Sequence, residues 1–236
     1  MLTIVINSQK GGSGKTTLCA HLSVEAERAA DGPVYLIDTD PQGTLGAWHE
    51  ARTAERPHRV EIPLSQLAPD GESGNRVAES PGLDRVARLG ARFCFIDTVP
   101  SRGDENAKLL GHADLVLVPV RPSPADLWAV AATVALLKQQ RTPFLFVVNQ
   151  ATLNANITAQ AIASLSHHGP VAETIIGTRV HYAAAMTNGH TAPELAARGP
   201  PAHEIARLWI NIKAWLHASM QVREETTRAQ TSRSDA

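Results

Sequence analysis

The run Gly11-Gly12-Ser13-Gly14-Lys15-Thr16-Thr17, preceded by Lys10, concentrates residues suited to holding a phosphate. Glycines at 11, 12 and 14 open backbone angles closed to other residues, so successive N–H groups can turn inward and wrap a β-phosphate. A helix starting near Lys15 adds the positive end of its dipole. Lys15 can reach β- and γ-phosphate oxygens as a point charge, and the Thr16 hydroxyl is placed to ligate magnesium. The frame fits a Walker A phosphate loop, and the apolar run Leu2 to Ile6 ahead of it supplies the strand that such a loop must follow. A flexible Gly/Ser turn with an incidental lysine is the plain alternative; agreement of strand, glycines, Lys-Thr and helix argues against it.

Two further stretches carry carboxylates. Asp38-Thr39-Asp40-Pro41-Gln42-Gly43 follows one apolar run, and Asp97-Thr98 follows Phe93-Cys94-Phe95-Ile96. Four apolar residues and then an aspartate is the Walker B form, so Asp97 is expected to hold Mg2+ directly or through water. Asp38 and Asp40 are two apart, and extended backbone would put both on one side of a strand. One of them would support the metal site while the other orients an attacking water. An aspartate that ends a strand is also an ordinary helix cap, and this alternative is strongest for Asp38.

The elements needed to gather these groups are readable in the same sequence. Short β-branched runs recur at Leu2 to Ile6, Val34 to Ile37, Arg92 to Ile96, Leu115 to Val118, Phe144 to Val148 and Val171 to Ile176. They are almost continuously apolar, which suits strands covered on both faces, and most are separated by enough chain for a crossover helix. Helices are predicted over Lys15 to Ala30, Pro124 to Gln140, Ile157 to Ser166 and Ala202 to Ala218. The expected fold is α/β, a doubly wound, mostly parallel sheet with helices on both faces and ligand groups at the carboxyl ends of the strands. Arg52 to Ala91 reads as a surface excursion with one short strand at Val60 to Ile62. A single domain is expected over residues 1–220, with 221–236 a disordered tail.

Composition removes other classes. The 236 residues are 43% hydrophobic and 19% charged, the balance of an ordinary globule. The longest uncharged apolar run, Leu115 to Val120, is far short of the ~20 residues of a membrane helix. The amino terminus lacks the basic region of a secretory signal, so a cytoplasmic location is expected. With a formal net charge of -1, any DNA contact must come from a local patch. Cys19 and Cys94 lack metal-ligand spacing and read as small buried hydrophobes.

Taken together, Lys10 to Thr17 and Asp38 to Gly43 resemble the deviant Walker A ATPases of the ParA/MinD group, specifically the ParA partition proteins. The stretch Ala113 to Trp128, with its strand, Pro122-Ser123-Pro124 turn and Asp126-Leu127 helix start, is similar to the corresponding family stretch. The resemblance covers essentially residues 1–220 and looks like the short type without an amino-terminal helix-turn-helix. It implies a P-loop ATPase that uses ATP and Mg2+ with low basal turnover. Lys10 would be the signature lysine that crosses a nucleotide-sandwich homodimer to the partner's phosphates. Asp40 would position water, Thr16 and Asp97 would form the magnesium site, and Asn149 would read adenine. One departure is Val99 ahead of Pro100, where the family usually has two prolines.

The resemblance further implies an ATP-bound dimer that binds DNA non-specifically, associates with the nucleoid, and is released when a ParB-like adaptor stimulates hydrolysis. Preferred DNA contacts are Arg179, Arg198, Arg207 and Lys213. The alternative is a MinD-like or cargo-positioning ATPase acting on membrane or protein assemblies. No membrane contact is expected, because the apolar stretch Leu208 to Leu216 contains one lysine and reads as core, with Trp209 and Trp215 inward.

Overall fold

The computed structural model describes residues 1–68, 80–100 and 103–234. In chain order the elements are β1 (Leu2–Ile6), α1 (Lys15–Arg28), β2 (Val34–Asp38), α2 (Thr44–Glu50), β3 (His58–Arg59), α3 (Leu64–Leu67), α4 (Pro81–Arg88), β4 (Phe93–Asp97) and α5 (Asp104–Gly111). They continue with β5 (Leu115–Val120), α6 (Pro124–Gln139), β6 (Phe144–Val148), α7 (Asn156–Ser166), α8 (Val180–Met186), α9 (Ala192–Leu195) and α10 (Pro200–Ser234). Among the described residues six strands make one sheet in the order β3-β2-β4-β1-β5-β6, with every pairing parallel.

Strand alternation divides the core into two layers. Ile4, Ile6, Leu36, Phe93 and Phe95 face one side, against Leu18, Leu22 and Ala26 of α1 and Leu208, Trp209 and Ile212 of α10. Val5, Ile37, Ile96 and Val116 face the other, against Val86 of α4, Leu109 of α5, Val134 and Leu137 of α6 and Leu165 of α7. This is the doubly wound sheet expected from the apolar runs. Trp209 anchors the first layer, its ring 5.0 Å from Phe93 and 5.9 Å from Phe95. Full burial of such a side chain contributes about 3 kcal/mol.

Several elements differ from the sequence reading. Val171 to Ile176 forms no continuous strand; it meets β6 through isolated bridges, from Val171 to Phe146 and, just beyond, from Gly177 to Ala151, and through the Ile176 amide, which donates to Val148 O at 2.9 Å. Between them Thr174 turns away, its amide and hydroxyl both donating to Asn211 Oδ1 at 3.0 and 2.7 Å, so α10 takes the backbone amide that a sheet ladder would need. The short strand expected at Val60 to Ile62 lies two residues earlier, as β3. The stretch Arg52 to Ala91 contains buried helix as well as surface: Ser80 caps α4 by accepting from the Leu83 amide at 3.3 Å, and Val86 is fully buried. Residues 69–79 of that stretch lie outside the described residues. Instead of stopping at Ala218, α10 runs to Ser234, through a segment containing neither glycine nor proline to end it.

Candidate nucleotide site

Strand register assembles the site. Asp97 pairs with Ile6 on one side and Asp38 on the other, so the phosphate loop and both carboxylates emerge at one sheet edge. Alternation continues through β4, so Asp97 points to the same layer as Phe93 and Phe95, where α1 lies. There Thr16 Oγ1 donates to Asp97 Oδ2 at 2.5 Å. The second oxygen, Oδ1, is buried with no hydrogen-bond partner among the described residues, as is Ser13 Oγ within the loop. Burial raises the Asp97 carboxyl to about 7, with the Asp38 and Asp40 charges adding to the rise and the Thr16 hydrogen bond opposing it. Lys15 is also buried; desolvation lowers its pKa, and the charges of Asp97 and Asp40 oppose that shift. An unpartnered buried carboxylate oxygen beside a threonine hydroxyl is the donor set of a hard cation, so these residues fit Mg2+.

The loop is held from its other flank. Asn149 Nδ2 donates to Ser13 O at 2.7 Å, and Gln150 Nε2 donates to Gly12 O at 2.9 Å. Gly14 has φ +90° and a Cβ there would lie 2.3 Å from Asn149 Nδ2, so both backbone angle and clamp require glycine. Asn149, expected to read adenine, thus has its amide nitrogen engaged by the loop. Gln150 escaped the sequence reading because a polar residue after a strand carries no distinguishing pattern.

Asp38, expected at the metal, has its oxygens directed to backbone: Oδ1 accepts from the Asp40 amide at 3.0 Å and Oδ2 from the Gly46 amide at 2.9 Å. It ties the turn at Asp40 to the first turn of α2, whose N-cap is Gly43. Asp40 is half-buried, and its Oδ1 accepts from the Gln42 amide at 3.0 Å. Lys10 is half-buried at the loop's start, its amide donating to Ser8 Oγ at 3.2 Å.

On the β6 side of the loop lies a cavity of about 180 Å³, lined in part by Gly14, Thr17, Asn149, Thr178, Arg179 and Tyr182. A phosphate chain in the loop would direct its nucleoside there. Arg179, expected on DNA, is paired with Glu204 at 2.6 Å. Lys213 is likewise paired, with Asp31 at 2.7 Å. Arg198 and Arg207 are exposed and line a shared groove with His203, Glu173 and Glu204. Trp209 is 1% exposed and Trp215 packs on the core, as expected for an inward face. Among the described residues no helix is long and apolar enough to cross a membrane.

Comparison with known proteins places this geometry among nucleotide-binding domains. The model of the CobQ/CobB/MinD/ParA nucleotide binding domain matches residues 4–192. The chain is 31% identical over 204 residues to the maintenance of carboxysome distribution protein A of Halothiobacillus neapolitanus, covering 84% of this chain and 89% of that protein. Its fold is that of apo McdA from Cyanothece, at TM-score 0.70 and 20% identity over 92% of this chain and 99% of that one. It also matches the septum site-determining protein MinD of Pyrococcus horikoshii complexed with Mg-ADP, at TM-score 0.68 and 16% identity over 89% and 95% of the two chains.

Proposed function

The chain belongs to the CobQ/CobB/MinD/ParA nucleotide-binding family, and from that membership we propose that it is a Mg2+-dependent ATPase whose ATP-bound homodimer positions a cargo along DNA. The observation that carries the reading is the pairing of Thr16 with Asp97 beside Lys15, with one Asp97 oxygen buried and unpartnered among the described residues. Thr16 and Asp97 would hold Mg2+, which when bound neutralises charge on the β- and γ-phosphates. The loop amides and Lys15 bind and orient the phosphate chain, while the Asn149 and Gln150 clamps keep the loop in its binding conformation. Asp40, within electrostatic reach of Lys15, orients the attacking water. Lys10 reaches the phosphates held by a second copy; a cation supplied across the dimer ties hydrolysis to association and release to phosphate loss.

Arg198 and Arg207 serve as the DNA contacts of this reading, since they are exposed and share a groove. Two copies double that patch, which supports weak, salt-sensitive and sequence-blind binding. A cytoplasmic protein associated with the nucleoid when ATP-bound follows, with a ParB-like adaptor on the cargo triggering hydrolysis. The relative named for carboxysome distribution favours a protein assembly as cargo over a replicon. Measuring ATP turnover with and without non-specific DNA and adaptor, alongside sedimentation with a non-hydrolysable analogue, tests the whole scheme. Low basal turnover stimulated by adaptor, an ATP-dependent dimer and an Asp40→Ala variant trapped as the loaded dimer are expected. A protein that stays monomeric when saturated with the analogue overturns it.

A further inference from the structure

Four donors converge on one carboxylate behind the cavity. Glu204 Oε1 accepts from Arg179 Nε at 3.0 Å and Nη2 at 2.6 Å, while Oε2 accepts from the Gly177 amide at 3.2 Å and the Tyr182 hydroxyl at 2.7 Å. Glu204 lies in the first turns of α10, whereas its donors belong to α8 and the connection before it. Gly177, Arg179 and Tyr182 all line the cavity that adjoins Gly14 and Thr17. Tyr182 also meets His21 of α1 edge-on, with ring centroids 5.1 Å apart, so this side chain reaches the helix that carries the phosphate loop. Charge-assisted hydrogen bonds are the strong ones, and here two of the four come from a guanidinium. The guanidinium is charged at any physiological pH, so the two bonds to the carboxylate are those of an ion pair, 2.6 Å at its shortest.

We propose that Glu204 is a positioning residue for the nucleoside half of the bound nucleotide: it holds Arg179 as a fixed wall of the cavity. Without it a long arginine side chain would sample many rotamers, and each encounter with nucleotide would have to order it again. With it the slot is formed before ligand arrives. The inference rests on the nucleotide-site reading above. It goes further by making affinity for the nucleoside, as distinct from the phosphates, depend on a residue of α10.

The test compares intact wild type with Glu204→Gln, Arg179→Ala and the double variant, measuring ATP and inorganic tripolyphosphate binding by calorimetry. Glu204→Gln is expected to weaken ATP about tenfold, as for loss of a charged hydrogen bond. Tripolyphosphate, which occupies only the loop, should change by less than about twofold. The double variant should bind ATP no more weakly than Arg179→Ala, because one side chain acts through the other. Equal weakening of both ligands, or additive losses, would overturn the inference. If Glu204→Gln fails to fold, Arg179→Ala must still show the ATP-selective loss. Wild type that binds tripolyphosphate as tightly as ATP refutes the nucleoside placement, whereas wild type that binds neither refutes the nucleotide-site reading itself.

Discussion

Lys15 and Lys10 flank the same glycines yet meet different surroundings. Lys15 is 7% exposed, with Asp97 and Asp40 acting on its charge, and Lys10 is half-buried at the loop's start. Their replacement should therefore separate two functions. Lys15→Ala is expected to weaken ATP binding about a hundredfold by removing charge-assisted hydrogen bonds to phosphate. Lys10→Ala should leave ATP affinity near wild type and abolish ATP-dependent dimerisation and adaptor-stimulated turnover. Equilibrium binding and analytical ultracentrifugation check both, and full stimulated turnover by Lys10→Ala would remove its role. At this scale Thr16, Lys15 and Asp97 were legible because each sits in a short motif whose spacing is its chemistry. Asp38 was legible only as a carboxylate at a strand's end; its hydrogen bond from the Gly46 amide depends on a residue brought to it by the turn.

At the scale of elements, α1 is tied to the rest of its layer through His21. The ring Nδ1–H donates to Thr17 O at 2.8 Å, and Nε2 accepts from the Ala192 amide at 3.1 Å. Nε2 can accept only when unprotonated, so the neutral ring is the one that fits. Burial lowers the His21 pKa from 6.5 to about 4, against the smaller raising influences of the Thr17 hydrogen bond and the Glu194 charge. A depressed histidine pKa means that its contribution is whole above pH 6.5 and is lost as pH falls towards 4. The difference corresponds to about 3 kcal/mol when fully developed. Thermal unfolding is expected to drop steeply between pH 6.5 and 4, and His21→Gln should show a shallower fall over that window. Identical pH profiles would assign the drop to other groups. None of this was visible in the sequence, where His21 is one histidine among ten in an alanine-rich helix.

For the whole molecule, the formal net charge of -1 leaves DNA binding to geometry. Arg179 and Lys213 are compensated by Glu204 and Asp31, while Arg198 and Arg207 share one exposed groove. In a dimer each arginine counts twice. Arg198→Ala and Arg207→Ala should each reduce the slope of log affinity against log salt by about 2, measured on random-sequence DNA with a non-hydrolysable ATP analogue. Unchanged slopes for both would place the DNA face elsewhere.

The phosphate loop, the aspartate that ends β4 and the parallel sheet were determined by the sequence itself. Each depends on residues near one another along the chain: glycine dihedrals, apolar runs, and a carboxylate at a strand's end. Tertiary structure alone decided that Asn149 and Gln150 clamp the loop, that Thr174 turns to Asn211, and that Arg179 pairs with Glu204. Those outcomes rest on partners separated by 136 residues for Asn149 and Ser13, 37 for Thr174 and Asn211, and 25 for Arg179 and Glu204. A polar side chain carries no local mark of the donor or acceptor it will meet; only the packed layers bring that partner within reach and exclude the water that would replace it.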